Sequence, residues 1–499
     1  MNRRVPNGTP DCLTISIYGI IELQDMETGG LIMAYIVGID RTQSRMITTS
    51  LDDLIDKNNS VRVIDAYVDS LNLTDLGFKE YSGSNRGQAP YRRSDLLKLH
   101  VYGYLNKIRS SRALETECKR NIELMWLINA ITPDHGTIAG FVKENRKAFH
   151  NALRQLTLIL KGWGLINGTL IAIDGTKIRA QNSKHNCITK SGLDKKIAYA
   201  DEKINSYLMD IEKGISEDTG FKDKLEAYQK LKEEYLSQKK ELIDEGLEQK
   251  SLTDPDSRRM KNNGSLDICY NVQSIVDSQN HFVIDISTTS DINDQNQLYT
   301  MSKQANKLLD TKECTVIADT GYYNATEIKN CIDDGMTVYI KKSKANNSTK
   351  ANEFRKEKFI YNSDDDTYTC PGGKKLLFFE NTSKNGMKYR KYKCVNCSVC
   401  KYQKNCTSSK TGRTLQRWEH ENILEDVHKL TLENNDIYRQ RRCIVEHPFG
   451  TIKRSMGYSF FLRRKKENVD AEAASMFIAY NFKRLLSMFS SQELVEKFK

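Results

Sequence analysis

The chain has 499 residues, 38% of them hydrophobic and 28% charged, with a formal net charge of +11. At roughly 100–200 residues per domain, this allows two to four domains with a sizeable core and a polar surface. No run approaches the ~18 consecutive apolar residues of a membrane span, and the excess of cations favours a polyanionic partner, most simply nucleic acid.

The first residues, Met1–Arg4, are basic, and an apolar run Leu13–Leu23 follows. Pro6, Pro10 and Asp11 intervene, Thr14, Ser16 and Glu22 interrupt the run, and no small-residue cleavage site follows. This does not read as a secretory signal, so a cytoplasmic, nucleoid-associated protein is expected. Met33-Ala-Tyr-Ile-Val-Gly-Ile-Asp reads as a natural start, and residues 1–32 as a non-native extension of an N-terminal segment 1–83. Residues 33–83 look short and mixed.

Helix then dominates over 84–165. Leu97, Val101, Tyr104, Leu105 and Ile108 recur at helical spacing, with Ser94 as an N-cap. Asn121–Ala130 and Thr137–Leu160 continue the pattern around the breaker Thr132–Gly136. Short helices with a basic surplus fit either a helix-turn-helix variant that docks on DNA or a packing domain.

The period changes at Thr169–Asp174, a short buried strand ending on an acid. Ile197, Ala200, Ile204, Tyr207 and Ile211 then step by 3 and 4, as do Tyr228, Leu231, Tyr235, Gln238 and Leu242. With a break near Gly214–Gly220, this predicts an antiparallel helical hairpin inserted over 190–262. Ile268–Val276 and His281–Thr288 read as strands joined by a turn. A helix near Gln295–Leu309 leads to Cys314–Asp319, a second buried strand ending on an acid. Helix Ala325–Asp334 and strand Thr337–Lys341 follow. Residues 346–426 are lysine- and cysteine-rich with little periodicity. Helices close the chain around Asp436–Ser455 and Ala471–Met488.

This order predicts an α/β fold: a ribonuclease-H-like mixed sheet flanked by helices, built from 166–345 and 427–490. Acids at strand ends point into the crevice where ligands bind in such sheets. Phosphodiester cleavage needs an activated oxygen nucleophile and a stabilised leaving oxygen, and two Mg²⁺ ions held by carboxylates provide both. Between Arg439 and Lys466 there are nine Lys or Arg and one acid, Glu446. Asp285, Asp291 and Asp294 are nearby rivals, better explained by solvation or capping.

The segments IDGTKIRAQNS with Asp174, IADTGYYN with Asp319 and CIVEHPFGTIKR with Glu446 occur in that order. With the upstream block YRRSDLLKLHVYGYLNKIRSSRALETECKRNIELMWLINAITPDHGTI, the chain resembles the DDE transposases of bacterial insertion sequences. The likeness runs from about Met33 to Leu486. It implies that Asp174, Asp319 and Glu446 form a catalytic triad holding two Mg²⁺ ions, with Mn²⁺ as a substitute. It also implies that Arg442, Lys453 and Arg454 contact DNA. On a continuous helix, Arg442, Glu446 and Lys453 would share one face. The tyrosine of that signature is expected at 439, where Arg439 stands beside Tyr438. Pro448 should kink or begin the helix, placing Glu446 near its start.

Of 12 cysteines, five fall between Cys370 and Cys406. In a chain without a secretory signal, such a cluster reads as metal ligation, here a closed structural Zn²⁺ site. The resemblance implies Cys370, Cys397, Cys400 and Cys406 as ligands, with Cys394 left over. The expected partners are double-stranded DNA, as inverted repeats and target, and a second copy of the chain, since two ends must be joined. The expected reaction is metal-dependent strand cleavage followed by strand transfer. A DNA-binding protein with a vestigial centre and a general nuclease of the same fold are the alternatives.

Overall fold

The computed structural model describes residues 49–80, 89–183, 186–213, 219–311, 313–342, 352–397, 399–409 and 411–499. The expected extension 1–32 and the start at Met33 lie outside the described residues. The chain forms two units, Met1–Leu54 and Ile55–Lys499. In the first, the Asp53 carboxylate accepts a hydrogen bond from the Ser50 amide at 2.9 Å. The second carries the helices and strands of the described chain.

It opens with helices α1 (Ser60–Asp69), α2 (Arg93–Leu105), α3 (Ser111–Cys118), α4 (Ile122–Leu127), α5 (His135–Glu144) and α6 (Arg146–Gly162). The expected mixed segment therefore contains a regular helix. Val61, Ile64, Tyr67 and Val68 form its buried stripe, and the Asn59 side chain caps it by accepting from the Val61 amide. Ser94 lies inside α2 rather than capping it. The helix expected over 137–160 divides at Asn145. That side chain accepts from the Lys79 amide at 2.7 Å and donates to the Phe141 carbonyl at 2.8 Å, satisfying groups that the break exposes.

Next come β1 (Leu170–Arg179), β2 (Cys187–Thr189), α7 (Lys190–Glu212), α8 (Thr219–Asp244), β3 (Gln249–Ser251), β4 (Arg258–Asn262), β5 (Ser265–Asp277) and β6 (Val283–Thr289). After them run α9 (Leu298–Leu309), β7 (Thr315–Ile317), α10 (Ala325–Asp333) and β8 (Thr337–Tyr339). The main sheet has the order β4-β5-β1-β7-β8, with β6 also paired to β5. Strands β6, β5 and β1 run antiparallel, while β7 and β8 are parallel to β1. Dropping β4 leaves the order third, second, first, fourth, fifth, which is the mixed ribonuclease-H-like sheet.

The α7–α8 hairpin is antiparallel, as the Lys232–Asp201 and Lys239–Asp194 ion pairs at 2.6 Å show. Tyr207 packs on Phe221 and Tyr228 in its seam. The hairpin is rooted by the small β2–β3 sheet. Its expected span 190–262 is too long, because β4 pairs with β5 and belongs to the main sheet.

The segment expected to be irregular is a five-stranded antiparallel sheet. It comprises β9 (Ile360–Asn362), β10 (Thr367–Thr369), β11 (Lys375–Lys384), β12 (Met387–Cys394) and, after the short helix α11 (Gln403–Cys406), β13 (Thr414–Trp418). Its small core is Phe354, Phe359, Tyr368, Leu376, Tyr392 and Leu415 with Cys394 and Cys406. Eight of ten β11 positions are exposed, so the sequence has no two-residue alternation to reveal the strand.

Helices α12 (Glu421–Glu433), α13 (Asn435–Gly450), α14 (Lys466–Leu486) and α15 (Ser491–Phe498) close the chain. Helix α14 is buried nearly all round and packs against α2, α6 and β6. It joins the N-terminal helices to the sheet.

Candidate active site

Strand β1 does not end at Asp174, as its apolar run suggests. It runs on to Arg179, paired with β5 throughout. Its other neighbour, β7, stops at Ile317. Asp174 thus stands where β1 loses a partner on one side, and an open notch takes the place of a strand end. Asp319 follows two residues after β7 and caps a turn of 3₁₀ helix at Thr320–Tyr322, accepting from the Gly321 amide at 2.7 Å.

The Asp174 side chain is 23% exposed. Burial pushes its carboxyl up to about 6, Arg441 opposes the shift, and the charges of Asp319 and Asp294 add to it. Arg441 Nη1 lies 3.2 Å from Asp174 Oδ2, and the Gly175 amide donates to Oδ1 at 2.8 Å. Arg441 comes from α13, which packs on β1.

Asp294, read from sequence as a solvated or capping acid, belongs to this group. Its Oδ1 accepts from Asn271 Nδ2 at 2.6 Å and Gln273 Nε2 at 2.7 Å, and Lys177 Nζ lies 3.3 Å away. The Tyr322 hydroxyl donates to Gln273 Oε1 and so ties the 3₁₀ turn to the same network. Two glycines keep the centre open. A Cβ on Gly175 would come within 2.9 Å of Asp294 Oδ1, and one on Gly321 within 2.9 Å of Asp319 Oδ1 and 3.9 Å of Asp294 Oδ2. The polar residues at 271 and 273 inside a buried strand were the available signal for Asp294. The other two rivals lie elsewhere: Asp285 is buried against His150 and Arg154, and Asp291 accepts from Gln297.

Glu446 is not drawn in with these acids. It lies well inside α13, despite Pro448, so the expectation of a helix start does not hold. Pro448, two residues before the end of α13, removes its own helix hydrogen bond, and its ring is buried. Five residues at about 100° each put Glu446 roughly 140° round the helix from Arg441. Its side chain is 63% exposed and accepts from Arg442 Nε at 2.8 Å. Tyr438, by contrast, is half-buried beside Arg441, with Lys341 Nζ 4.5 Å above its ring. Burial raises its hydroxyl pKa, opposed by Arg441, and the charge of Asp319 raises it further.

The expected cationic face is also divided. Helix α13 gives way to a π turn at Thr451–Ser455, which changes the angular phase. Lys453 donates instead to the Lys177 carbonyl at 2.8 Å. Arg442 is 78% exposed on Glu446, and Arg454 is exposed.

The cysteines Cys370, Cys394, Cys397, Cys400 and Cys406 line one cavity of about 20 Å³. The Lys374 amide donates to Cys370 Sγ at 3.2 Å and the Arg413 amide to Cys397 Sγ at 3.4 Å. Among the described residues, no three His, Cys, Asp or Glu side chains are grouped closely enough to count as a metal site, here or at the acids. No described helix is long and apolar enough to cross a membrane.

Residues 49–144 match the model of a transposase domain (DUF772), and residues 369–486 match that of a transposase DDE domain. The first covers α1 to α5, and the second covers Glu446 and the cysteines but neither Asp174 nor Asp319. No curated protein matches the chain. A piggyBac transposase synaptic complex with hairpin DNA is similar at 8% identity, over 88% of this chain and 79% of that one, with a TM-score of 0.31. These two matches, over residues 49–144 and 369–486, support a DDE transposase, an enzyme that acts on DNA.

Proposed function

We propose that the chain binds the terminal inverted repeats of a bacterial insertion sequence and cuts and joins DNA there, with divalent metal at Asp174 and Asp319. The observation that carries this reading is the meeting of these two acids, from neighbouring parallel strands, at the notch where β7 stops. The donor set fits a hard cation. It offers carboxylate oxygen, and Gly175 and Gly321 leave open the space that a Cβ would take. When bound, Mg²⁺, or Mn²⁺ in its place, supplies Lewis-acid activation of the attacking oxygen and charge stabilisation of the leaving one.

The chain's own groups prepare that chemistry. Asp174, with its carboxyl held near 6, is ionised at neutral pH and able to accept a cation. Arg441 balances its charge and is placed to meet a phosphate. Asp294 needs no movement to join, because Asn271, Gln273 and Lys177 fix one of its oxygens. Glu446, the third acid on the resemblance, is turned outward. It reaches the pair if α13 rotates, and the π turn at Thr451–Ser455 is a natural place for that change of register. Arg442 and Arg454 on the exposed side are then DNA contacts, and two copies of the chain hold two element ends.

The cysteine cluster is proposed as a structural zinc site of Cys370, Cys397, Cys400 and Cys406. A closed set of four thiolates leaves no position for a reacting water. The amide-to-sulfur bonds at Cys370 and Cys397, of the kind that hold a ligating sulfur in place, support the assignment.

Purified protein with Mg²⁺ and a duplex carrying an element end should nick at the element boundary. Asp174→Ala should bind the duplex without nicking it. Full nicking by that variant overturns the assignment. Cutting indifferent to the end sequence points instead to a general nuclease, and binding without cutting by the wild type to a vestigial centre.

A further inference from the structure

The segment Leu462–Lys466 puts Arg463, Arg464, Lys465 and Lys466 in succession where the chain enters α14, whose first residue is Lys466. Carboxylates surround it, yet they bind its backbone. The Glu472 carboxylate, 1% exposed, accepts from the Leu462 amide at 3.0 Å and the Arg463 amide at 3.0 Å. Asp254, fully buried, accepts from the Lys465 amide at 3.0 Å, and Asp256 from the Lys466 amide at 2.9 Å. Arg109 donates to the Phe460 carbonyl at 2.8 Å, with its guanidinium 4.7 Å from the Tyr458 ring.

Acids placed this way fix the main chain and leave the side-chain charge uncompensated. Arg464, Lys465 and Lys466 are exposed, and no ion pair joins them to the described residues. Lys465 holds φ +69°, a left-handed conformation that a lysine adopts only when its surroundings enforce it. A freely solvated loop needs neither the strain nor the buried carboxylates. Three unpaired cations on a fixed main chain form a surface for a polyanion.

Position completes the argument. Arg179 bridges to Phe460, and its amide and carbonyl bond Ser459 and Phe461. The loop therefore departs from the far end of β1, five residues beyond Asp174. At ~3.3 Å per residue this is about 16 Å. Each base pair rises ~3.4 Å along the duplex axis, so this distance measured along the axis spans about five base pairs, half a helical turn.

We propose that Leu462–Lys466 is a rigid phosphate clamp that grips the duplex backbone about half a turn from the acid pair. The proposal rests on the reading of the chain as an enzyme that cuts DNA. Phosphate contacts carry no sequence information, so a random 30-base-pair duplex is a sufficient probe. The variant Arg464→Gln/Lys465→Gln/Lys466→Gln should keep the wild-type melting temperature. Its plot of log binding constant against log NaCl concentration should be shallower by about 2 to 3, at ~0.9 for each phosphate no longer neutralised. On a duplex that the wild type nicks, ethylation of phosphates about five nucleotides from the nick should impair wild-type binding and not that of the variant. An unchanged salt slope, with wild-type binding and nicking intact, overturns the clamp alone. Failure of the wild type to bind any duplex overturns both the clamp and the functional reading.

Discussion

Asp174 and Asp319 each lie two residues beyond the last registered pair of β1 and β7, Ala172 and Ile317. In parallel strands, residues two apart point to the same face, so this register carries both acids to one side of the sheet. The pairing follows from the sheet's hydrogen bonding, although the residues are far apart in sequence. It explains why Asp174 feels the charge of Asp319.

The open space between the acids depends on Gly175. A Cβ there would stand 2.9 Å from Asp294 Oδ1 and 3.0 Å from Asn271 Oδ1, in a network with little room to yield. Gly175→Ala should cost about 1–3 kcal/mol in urea denaturation and lower nicking at least tenfold. Gly140→Ala, in α5 with nothing within 4 Å of the added carbon, should be neutral or stabilising by up to ~1 kcal/mol. Equal behaviour of the two variants contradicts the account of the notch.

Much of the main sheet was legible in the sequence because β1 and β7 begin as short apolar runs and β5 and β6 are rich in buried β-branched residues. The acid pair was legible because each acid closes such a run. The extension of β1 past Asp174 was not, since Gly175, Thr176 and Lys177 break the apolar pattern while the backbone still pairs with β5. Asp294 was passed over because its role depends on Asn271 and Gln273, brought to it by a fold no local pattern displays. Glu446 was placed by resemblance and by its basic surroundings. The direction of a side chain on a helix depends on phase, and the sequence does not announce a π turn.

The N-terminal helices are tied to the sheet through a buried charge cluster. His150 of α6 is hydrogen-bonded to Asp285 and Asp470, each at 2.7 Å, while Arg154 also pairs with Asp285. Burial alone would lower the His150 pKa, but the two carboxylates outweigh it and hold it at about 9. The folded value lies above the unfolded one of ~6.5. This contribution is therefore full below about 6.5 and lost as pH rises through about 9. At ~1.4 kcal/mol per unit, the whole effect is about 3 kcal/mol. Denaturation from pH 6 to 10 should show that loss in the wild type. His150→Gln should be less stable at pH 6 and should have a flatter profile. Parallel profiles contradict the linkage.

The cysteine-rich sheet has a small core and exposed strands, so bound metal should matter for its folding. Protein purified without chelator should carry about one zinc per chain by atomic emission. Cys406→Ser should lose it, and Cys394→Ser should retain it. Chelation should make the 352–418 segment susceptible to proteolysis, while the main sheet stays protected. A zinc-free protein whose segment resists protease contradicts the zinc assignment.

On the proposed function, Asp174 and Asp319 hold one divalent cation between them. Titration of the purified chain with Mn²⁺, followed by the disappearance of the free-ion paramagnetic resonance signal, tests it without requiring turnover or DNA. The wild type should bind Mn²⁺ at this site, and Asp174→Asn and Asp319→Asn should each weaken binding at least tenfold while melting no more than a few degrees away. Binding unchanged in both variants would contradict the claim.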